Sequence, residues 1–433
     1  LFGYGWWLPI LLLLGGLPQG ISAVMNNQRN NRWRKANTHN ERRLFYYDWL
    51  LTMRQYAAEV RIYQMAQNTI DTFRKLKQRL STERLNLLKR EIFTTQIASL
   101  LSLIMLGGIG VWAILGSLAG TILIGDLALF WQVAQKGRST FSSVLTSLSS
   151  IYRNMLYLED MCELLDQRPA IEDVEETKPI ALPLNEGITI ENLSFQYPAG
   201  DHKVIEGLDL FIPAKKITAL VGVNGAGKST LIKLLCRFYD PLEGSIKLDG
   251  VDIREHALLD YQQQISVLMQ FPSQFFTTVE KNIAVNQMTD RDKLQQAAET
   301  AGADDFIQKL PEGYATMLGS MFDGTDLSGG QWLRIALARA FYRDCSIFLL
   351  DEPTEGMDSW AEMSWFRHFR AIAKEKTSLI ITHRFTTAMQ ADIIHLIDGG
   401  RIIESGSHEE LVALNGRYAE SWNQQMRLGK MGE

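Results

Sequence analysis

Cysteine is scarce in this sequence. The three present, Cys162, Cys236 and Cys345, are scattered over 433 residues and form no C-x-x-C pair. That spacing excludes a disulfide framework and a cysteine metal knuckle, and leaves them as packing residues facing a reducing compartment. An excess of one charge is also lacking. Lys and Arg number 44 against 49 Asp and Glu, a formal net charge of -5, so no nucleic-acid partner and no disordered charged tail are expected. The N-terminus has neither a Met nor a basic residue ahead of its first apolar run, as a cleaved signal peptide would require, and the chain reads as a piece whose beginning is missing.

Apolar residues, by contrast, crowd the first third of the chain. Residues 6–24 carry no charge and have about the length needed to cross ~30 Å of hydrocarbon, with Tyr4, Trp6 and Trp7 placed as an interfacial belt. Residues 97–115 form a second such run, in which Gly107, Gly108 and Gly110 let neighbouring helices approach closely. A third, residues 121–157, is interrupted by Gln132, Gln135, Lys136, Arg138, Ser139, Thr140, Ser142 and Ser143. Two readings of it stand: a helix lining a cavity inside the membrane, or one that leaves the membrane near Lys136 with its polar groups solvated.

The tract between the first two runs, residues 26–90, is charged and poor in helix breakers, with Arg29, Arg32, Arg34, Lys35, Arg42 and Arg43 beside the first run. Such a basic flank marks the cytoplasmic side, whereas the short connection Gly116 to Gly120 has no Lys or Arg and should face outward. The tract is expected to extend both membrane helices into the cytoplasm as rods. At its tip Trp49-Leu50-Leu51-Thr52-Met53-Arg54-Gln55-Tyr56 is locally apolar, which suits either docking on another domain or packing within the helical bundle.

Near residues 168–186 the composition turns acidic and proline-containing, with Pro169, Glu172, Asp173, Glu175, Glu176, Pro179 and Pro183. This reads as a linker between residues 1–167, a partial transmembrane domain, and residues 187–433. Beyond it short β-rich runs alternate with helical stretches, the pattern of an α/β domain with a largely parallel sheet. The apolar run Ile217 to Val221 leads into Gly222-Val223-Asn224-Gly225-Ala226-Gly227-Lys228-Ser229-Thr230 and then into a helical run. G-x-x-x-x-G-K-S between a strand and a helix is a phosphate-binding loop: glycines let backbone N–H groups turn inward on phosphate oxygens, Lys228 reaches the outer phosphates and Ser229 can hold Mg²⁺. Ser346 to Leu350 is a second buried-strand run ending in Asp351 and Glu352, and Ser378 to Thr382 is a third ending at His383. A carboxylate at a strand end beside such a loop can hold Mg²⁺, and a second can orient an attacking water.

Further along, Leu327-Ser328-Gly329-Gly330-Gln331 precedes the helical run Leu333 to Ala340. With this motif added to the phosphate loop, residues 188–418 closely resemble the ATP-binding cassette (ABC) superfamily, and residues 1–167 resemble the second half of an exporter-type transmembrane domain. The resemblance implies ATP and Mg²⁺ as cofactors and assigns roles. Tyr197 stacks on adenine; Asn224 to Thr230 hold the phosphates; Gln270 touches Mg²⁺ and the attacking water; Asp351 is the Walker B carboxylate at the metal. Glu352 is the general base, Asp358 belongs to the loop between paired cassettes, and His383 is the switch histidine at the γ-phosphate. Ser328, Gly329, Gly330 and Gln331 would close the ATP site of a partner cassette paired head to tail, so a second half-transporter, the same or different, is implied.

Relatives usually carry roughly six spans, of which about three are legible here. Glu59-Val60-Arg61 falls where they have a similar motif after the helix that couples to the cassette. Two departures stand out. Gly319 to Asp326 lacks the acidic-glycine pattern common in exporters, and Glu355-Gly356-Met357-Asp358 replaces the usual Ser-Ala-Leu-Asp. Trp332, directly after the signature, is similar to exporters of lanthipeptides and other bacteriocins. The expected protein is thus an ATP-hydrolysing half of an exporter in a bacterial inner (plasma) membrane, in contact with lipid, its cassette in the cytoplasm and its cargo a peptide, lipid or small molecule. The alternatives are a soluble or regulatory ATPase of the same superfamily and an importer built on the same fold.

Overall fold

The computed structural model describes residues 7–120, 124–167, 169–285, 287–319 and 323–431, with side chains from Leu17 onward apart from scattered positions, most of them in the last helix of the first unit. The belt expected at Tyr4, Trp6 and Trp7 lies outside the described side chains, as do Arg138 and Ser142. Contacts divide the chain into two units, Leu1–Arg168 and Pro169–Glu433.

The first unit is helical: α1 (Trp7–Thr52), α2 (Arg54–Ile62), α3 (Ala66–Leu118) and α4 (Ile124–Leu165). With 46 and 53 residues, α1 and α3 reach roughly 70 and 80 Å at 1.5 Å per residue. Each is more than twice as long as the ~30 Å of a bilayer core. Among the described residues one helix, Ala66–Leu118, is long and apolar enough to cross a membrane, by length and composition.

A ladder of polar contacts joins α1 to α3. Gln19 bonds Ser99 at 3.2 Å, Asn26 bonds Thr94 at 2.9 Å, Asn30 bonds Glu91 at 3.3 Å, and Trp33 and Asn37 both donate to Glu83, at 3.0 and 3.4 Å. Positions 19, 26 and 33 follow heptad steps, as do 30 and 37, so one seam of α1 faces α3 along this stretch. Asn26 and Asn37 are buried in that seam. A buried amide needs its partner at one height only, and the ladder therefore sets the register of the two helices.

At the far end Met53 takes an extended conformation, φ -80° and ψ 132°, and separates α1 from α2. Trp49 meets Tyr56 edge-on across this corner at 6.5 Å. Val60 is buried while Ile62, Tyr63 and Met65 are exposed past the end of α2. On α4, Gln132, Lys136 and Thr140 share one face with Val133, Phe141 and Val144 around a groove of about 560 Å³. Cys162 is exposed on the same helix, whereas Cys236 is buried and Cys345 partly so; as a packing residue the expectation holds for the latter two only.

The second unit holds two sheets. Strands β1 (Gly187–Phe195), β2 (Ile205–Pro213), β4 (Glu243–Leu248) and β5 (Val251–Asp252) form an antiparallel sheet in the order β2-β1-β4-β5. Strands β3 (Ile217–Gly222), β6 (Ile265–Leu268), β7 (Ile347–Asp351), β8 (Thr377–Thr382), β9 (Ile393–Asp398) and β10 (Arg401–Gly406) form the other, ordered β10-β9-β3-β8-β7-β6. It is parallel except where β10 runs against β9. Every residue of β7 and β8, and all of β3 but its terminal Gly222, is buried. A strand covered on both faces loses the apolar–polar alternation and reads as one apolar run, as these do.

Residues 169–186 belong to this unit and are seated on it. Arg237, only 2% exposed and held at φ +50°, donates to Glu172 O, Ile253 O and His256 O. Asp173 accepts from the backbone N–H of Leu258 at 2.8 Å, and His256 Nδ1 meets Lys178 O at 2.8 Å.

Candidate functional site

The carboxyl ends of β3, β7 and β8, neighbours in the parallel sheet, carry the motif residues to one rim. At the end of β3 a Cβ on Gly222 would lie 2.2 Å from Ile397 O of β9, so no other residue lets the two backbones pass so closely. The loop then turns through Gly225 and Gly227, at φ +84° and +96°, and opens into the helix Lys228–Leu235. Asn224 and Gly225 are exposed, while Ala226, Gly227, Lys228 and Thr230 are buried. The first N–H groups of that helix have no intrahelical acceptor, and glycine leaves the approach to them open.

Lys228 Nζ lies across the loop and donates to Gly222 O at 2.7 Å and Val223 O at 3.0 Å. Burial pulls its pKa below the ordinary lysine value, against the opposing pull of Glu352 and Asp351. Asp351, 3% exposed at the end of β7, has its carboxyl raised above the ordinary value by burial, although Ser229 hydrogen-bonds to it. The loop lysine, the loop serine and the strand-end carboxylate are thereby drawn into one cluster.

Glu352 is the unusual residue. It stands at φ +53°, in the left-handed region that costs an ordinary side chain about 1–2 kcal/mol. Its N–H nevertheless bonds Ile381 O of β8 at 2.9 Å, so the strand pairing continues through it. Its side chain, buried, turns to His383: Oε2 lies 2.8 Å from His383 Nδ1 and 3.4 Å from His383 N. A carboxylate on Nδ1 orients the ring and leaves Nε2 for a second partner. A backbone conformation outside the common regions that aims a buried carboxylate at an imidazole is an arrangement found where chemistry is done.

Tyr197, just past β1, bonds Thr230 Oγ1 at 3.1 Å, and Lys233 donates to the same phenol at 3.2 Å. Its ring packs edge-on against Phe195 and Tyr239 at 5.1 and 5.4 Å. Gln270 is exposed, two residues beyond β6. Asp358 caps the helix Ser359–Ala373 by accepting from Ala361 N at 2.8 Å.

Ser328 caps the helix Gly329–Tyr342 with a reciprocal bond to Gln331, and Ser328, Gly329 and Gly330 face solvent. Among the described residues no hydrogen bond or ion pair ties Ser328 to Gln331 to the phosphate loop. Trp332 is buried in the domain core. Of the stretch Gly319 to Asp326, residues 320–322 lie outside the described residues.

Motif reading passed over some residues with evident structural weight here. Arg339 lies over Phe275 at 4.4 Å and donates to Ser273 O and Asn282 O, and burial lowers its pKa to about 10. Arg384, half-buried, pairs with the buried carboxylate of Glu362 at 2.9 Å. The one sequence hint of either was position, Arg339 within the signature helix and Arg384 beside His383.

The phosphate loop, its paired carboxylates and the separate signature cap match one family, described as ABC transporter, over residues 205–355. Residues 205–355 are an ABC transporter domain. The chain is 34% identical to an ATP-dependent lipid A-core flippase of Chromohalobacter salexigens over 75% of its length and 56% of the flippase. It is 30% identical to the subtilin transport ATP-binding protein SpaT of Bacillus subtilis over 88% of its length and 62% of SpaT. It thus spans 56–62% of the length of these two curated relatives. A bacterial Atm1-family ABC exporter solved with ATP bound superposes with a TM-score of 0.87 at 26% identity, covering 98% of this chain and 73% of that one. The cassette is thus a nucleotide-binding ATPase domain, and these two relatives are an ATP-dependent flippase and a transport ATP-binding protein.

Proposed function

We propose that the chain is the ATP-hydrolysing half of an exporter that pairs with a second half-transporter in a membrane, its cassette in the cytoplasm. The observation that carries this reading is the Glu352–His383 pair at 2.8 Å, set beside the cluster of Lys228, Ser229 and Asp351. The loop N–H groups and Lys228 bind the phosphates, and Tyr197 offers its ring to the base. Ser229, Asp351 and Gln270 would hold Mg²⁺; their hydroxyl, carboxylate and amide oxygens are the hard donors that ion prefers. Bound there, the ion supplies neutralisation of phosphate charge.

Glu352 takes the proton of the attacking water as general base, and His383, fixed by its Nδ1 bond, presents Nε2 towards the γ-phosphate. Ser328, Gly329 and Gly330 would close the site of a partner cassette, a role that their exposure at a capped helix start supports. The cargo is a peptide, lipid or small molecule. Trp332 lies in the cassette core and so cannot touch cargo; the likeness to SpaT keeps a peptide in view. Replacing Glu352 with Gln should lower ATP turnover about a hundredfold or more while ATP still drives association of two copies, read by size exclusion. Turnover at the parental rate in that variant would end the assignment of the base. The long apolar helix Ala66–Leu118 weighs against a soluble regulatory ATPase, and transport direction in vesicles separates exporter from importer.

A further inference from the structure

Glu362 is a carboxylate with no part in the chemistry described above, yet it is only 3% exposed. It lies in the first turn of the helix that Asp358 caps. A charge buried so deeply requires partners, and all of those found come from the four residues that follow His383. Arg384 Nη1 donates to it at 2.9 Å, Thr386 Oγ1 donates at 2.9 Å, and Thr387 donates as well. The same Nη1 of Arg384 also donates to Met357 O at 2.9 Å. Met357 is the residue directly before Asp358, and Arg384 is the residue directly after His383.

One guanidinium nitrogen therefore ties the backbone of the loop Glu355 to Asp358 to the segment that presents the switch histidine. Thr387 reaches further, meeting Thr354 at 3.3 Å beneath that loop. On the other side the C-terminal helix steadies the same segment, where Gln425 accepts from Phe385 N at 2.9 Å and donates to His383 O at 3.4 Å.

We propose that Arg384 and Glu362 are positioning residues that lock the loop ending in Asp358 to the segment carrying His383, so that the placement of that loop sets the placement of His383 against Glu352. The inference rests on Glu352 and His383 being the hydrolytic pair. The geometry makes the link short and stiff: one nitrogen donating to two acceptors, one of them a buried carboxylate, cannot follow one partner without dragging the other. A loop expected to lie between paired cassettes would in this way report the partner's presence to the catalytic histidine of its own chain.

The test is Mg²⁺-ATP hydrolysis by the full chain with Glu362→Gln and Arg384→Lys, each alone and combined with His383→Ala, with thermal midpoints as the folding control. Glu362→Gln is expected to lower kcat roughly tenfold with KM within about twofold, and to add no further loss in the His383→Ala background, because it acts through that residue. Arg384→Lys keeps the charge on a shorter side chain without the planar guanidinium, and its kcat should fall between those of the parent and Glu362→Gln. Parental kcat in a folded Glu362→Gln protein, a loss confined to KM, or losses that multiply with His383→Ala would each overturn the proposal. Should Glu362→Gln fail to fold, Arg384→Lys carries the test alone; its kcat must then fall, non-additively with His383→Ala, or the proposal is wrong. Glu352→Gln run alongside separates the two readings: if it keeps parental turnover the hydrolytic pair itself is misassigned, and if it is inactive while Glu362→Gln is normal, only the positioning role fails.

Discussion

At Glu352 the backbone accepts a left-handed conformation, φ +53°, that a glycine would adopt freely, and the side chain explains why a glycine would not serve: only a carboxylate meets His383 Nδ1 there. Its neighbour Asp351 carries a different burden. Burial raises its pKa above the ordinary carboxylate value of 3.8, so ionised Asp351 destabilises the folded cassette once the pH exceeds that raised pKa. Below 3.8 the group is protonated in both the folded and the unfolded chain and the penalty vanishes. Asp351→Asn should therefore raise the thermal midpoint at neutral pH, by roughly 2–4 °C for each kcal/mol in a domain of this size, with the gain shrinking to nothing as the pH falls through the acid range. A midpoint gain that persists undiminished at low pH would refute this account. The stability gained would come with loss of Mg²⁺-dependent turnover, the usual opposition between a stable fold and a charged site.

Among the elements, α1 and α3 carry an unusual amount of polar contact for helices expected to enter a membrane. Asn26 bonds both Ser22 and Thr94, and Thr94 also donates to Glu91 O. Asn26→Ala should lower the stability of the helix pair by about 1 kcal/mol. Adding Thr94→Ala should cost little more, since the shared bond is already gone. Thermal unfolding of the single and double variants in detergent reads this directly, and fully additive losses would show that the seam bond contributes nothing. The linker shows the same principle outside the helices. Its acidic, proline-containing composition signals a break between domains, but nothing local in residues 169–186 reveals that Arg237, more than fifty residues on, would hold the carbonyl of Glu172.

For the whole molecule the two units raise one question in common, where the apolar tip of the first acts. Trp49 and Tyr56 meet across the corner between α1 and α2, while Ile62 and Tyr63 remain exposed beyond it. A greasy tip on a charged rod is expected to dock on a cassette. Single cysteines placed near Met53, after replacement of the exposed Cys162, should cross-link to residues within 187–433 of this chain or its partner. Cross-links confined to the helical unit would mean that the tip packs there instead.

The nucleotide loop, the signature and the order of the strand-end carboxylate and histidine were legible in the sequence because each rests on local geometry: glycines that permit a turn, a serine that caps its own helix three residues on, and apolar runs long enough for a buried strand. The tertiary structure alone decided what those pieces touch. Glu352 and His383 stand 31 positions apart and meet because β7 and β8 pair in parallel. Arg384 and Glu362, 22 apart, meet only once the helix after Asp358 packs beside that strand's end. Trp332, a subfamily marker by its position, is a core residue by its burial. Side-chain contacts across a sheet depend on strand order and register, and these follow from how whole apolar faces pack, not from any short run of residues.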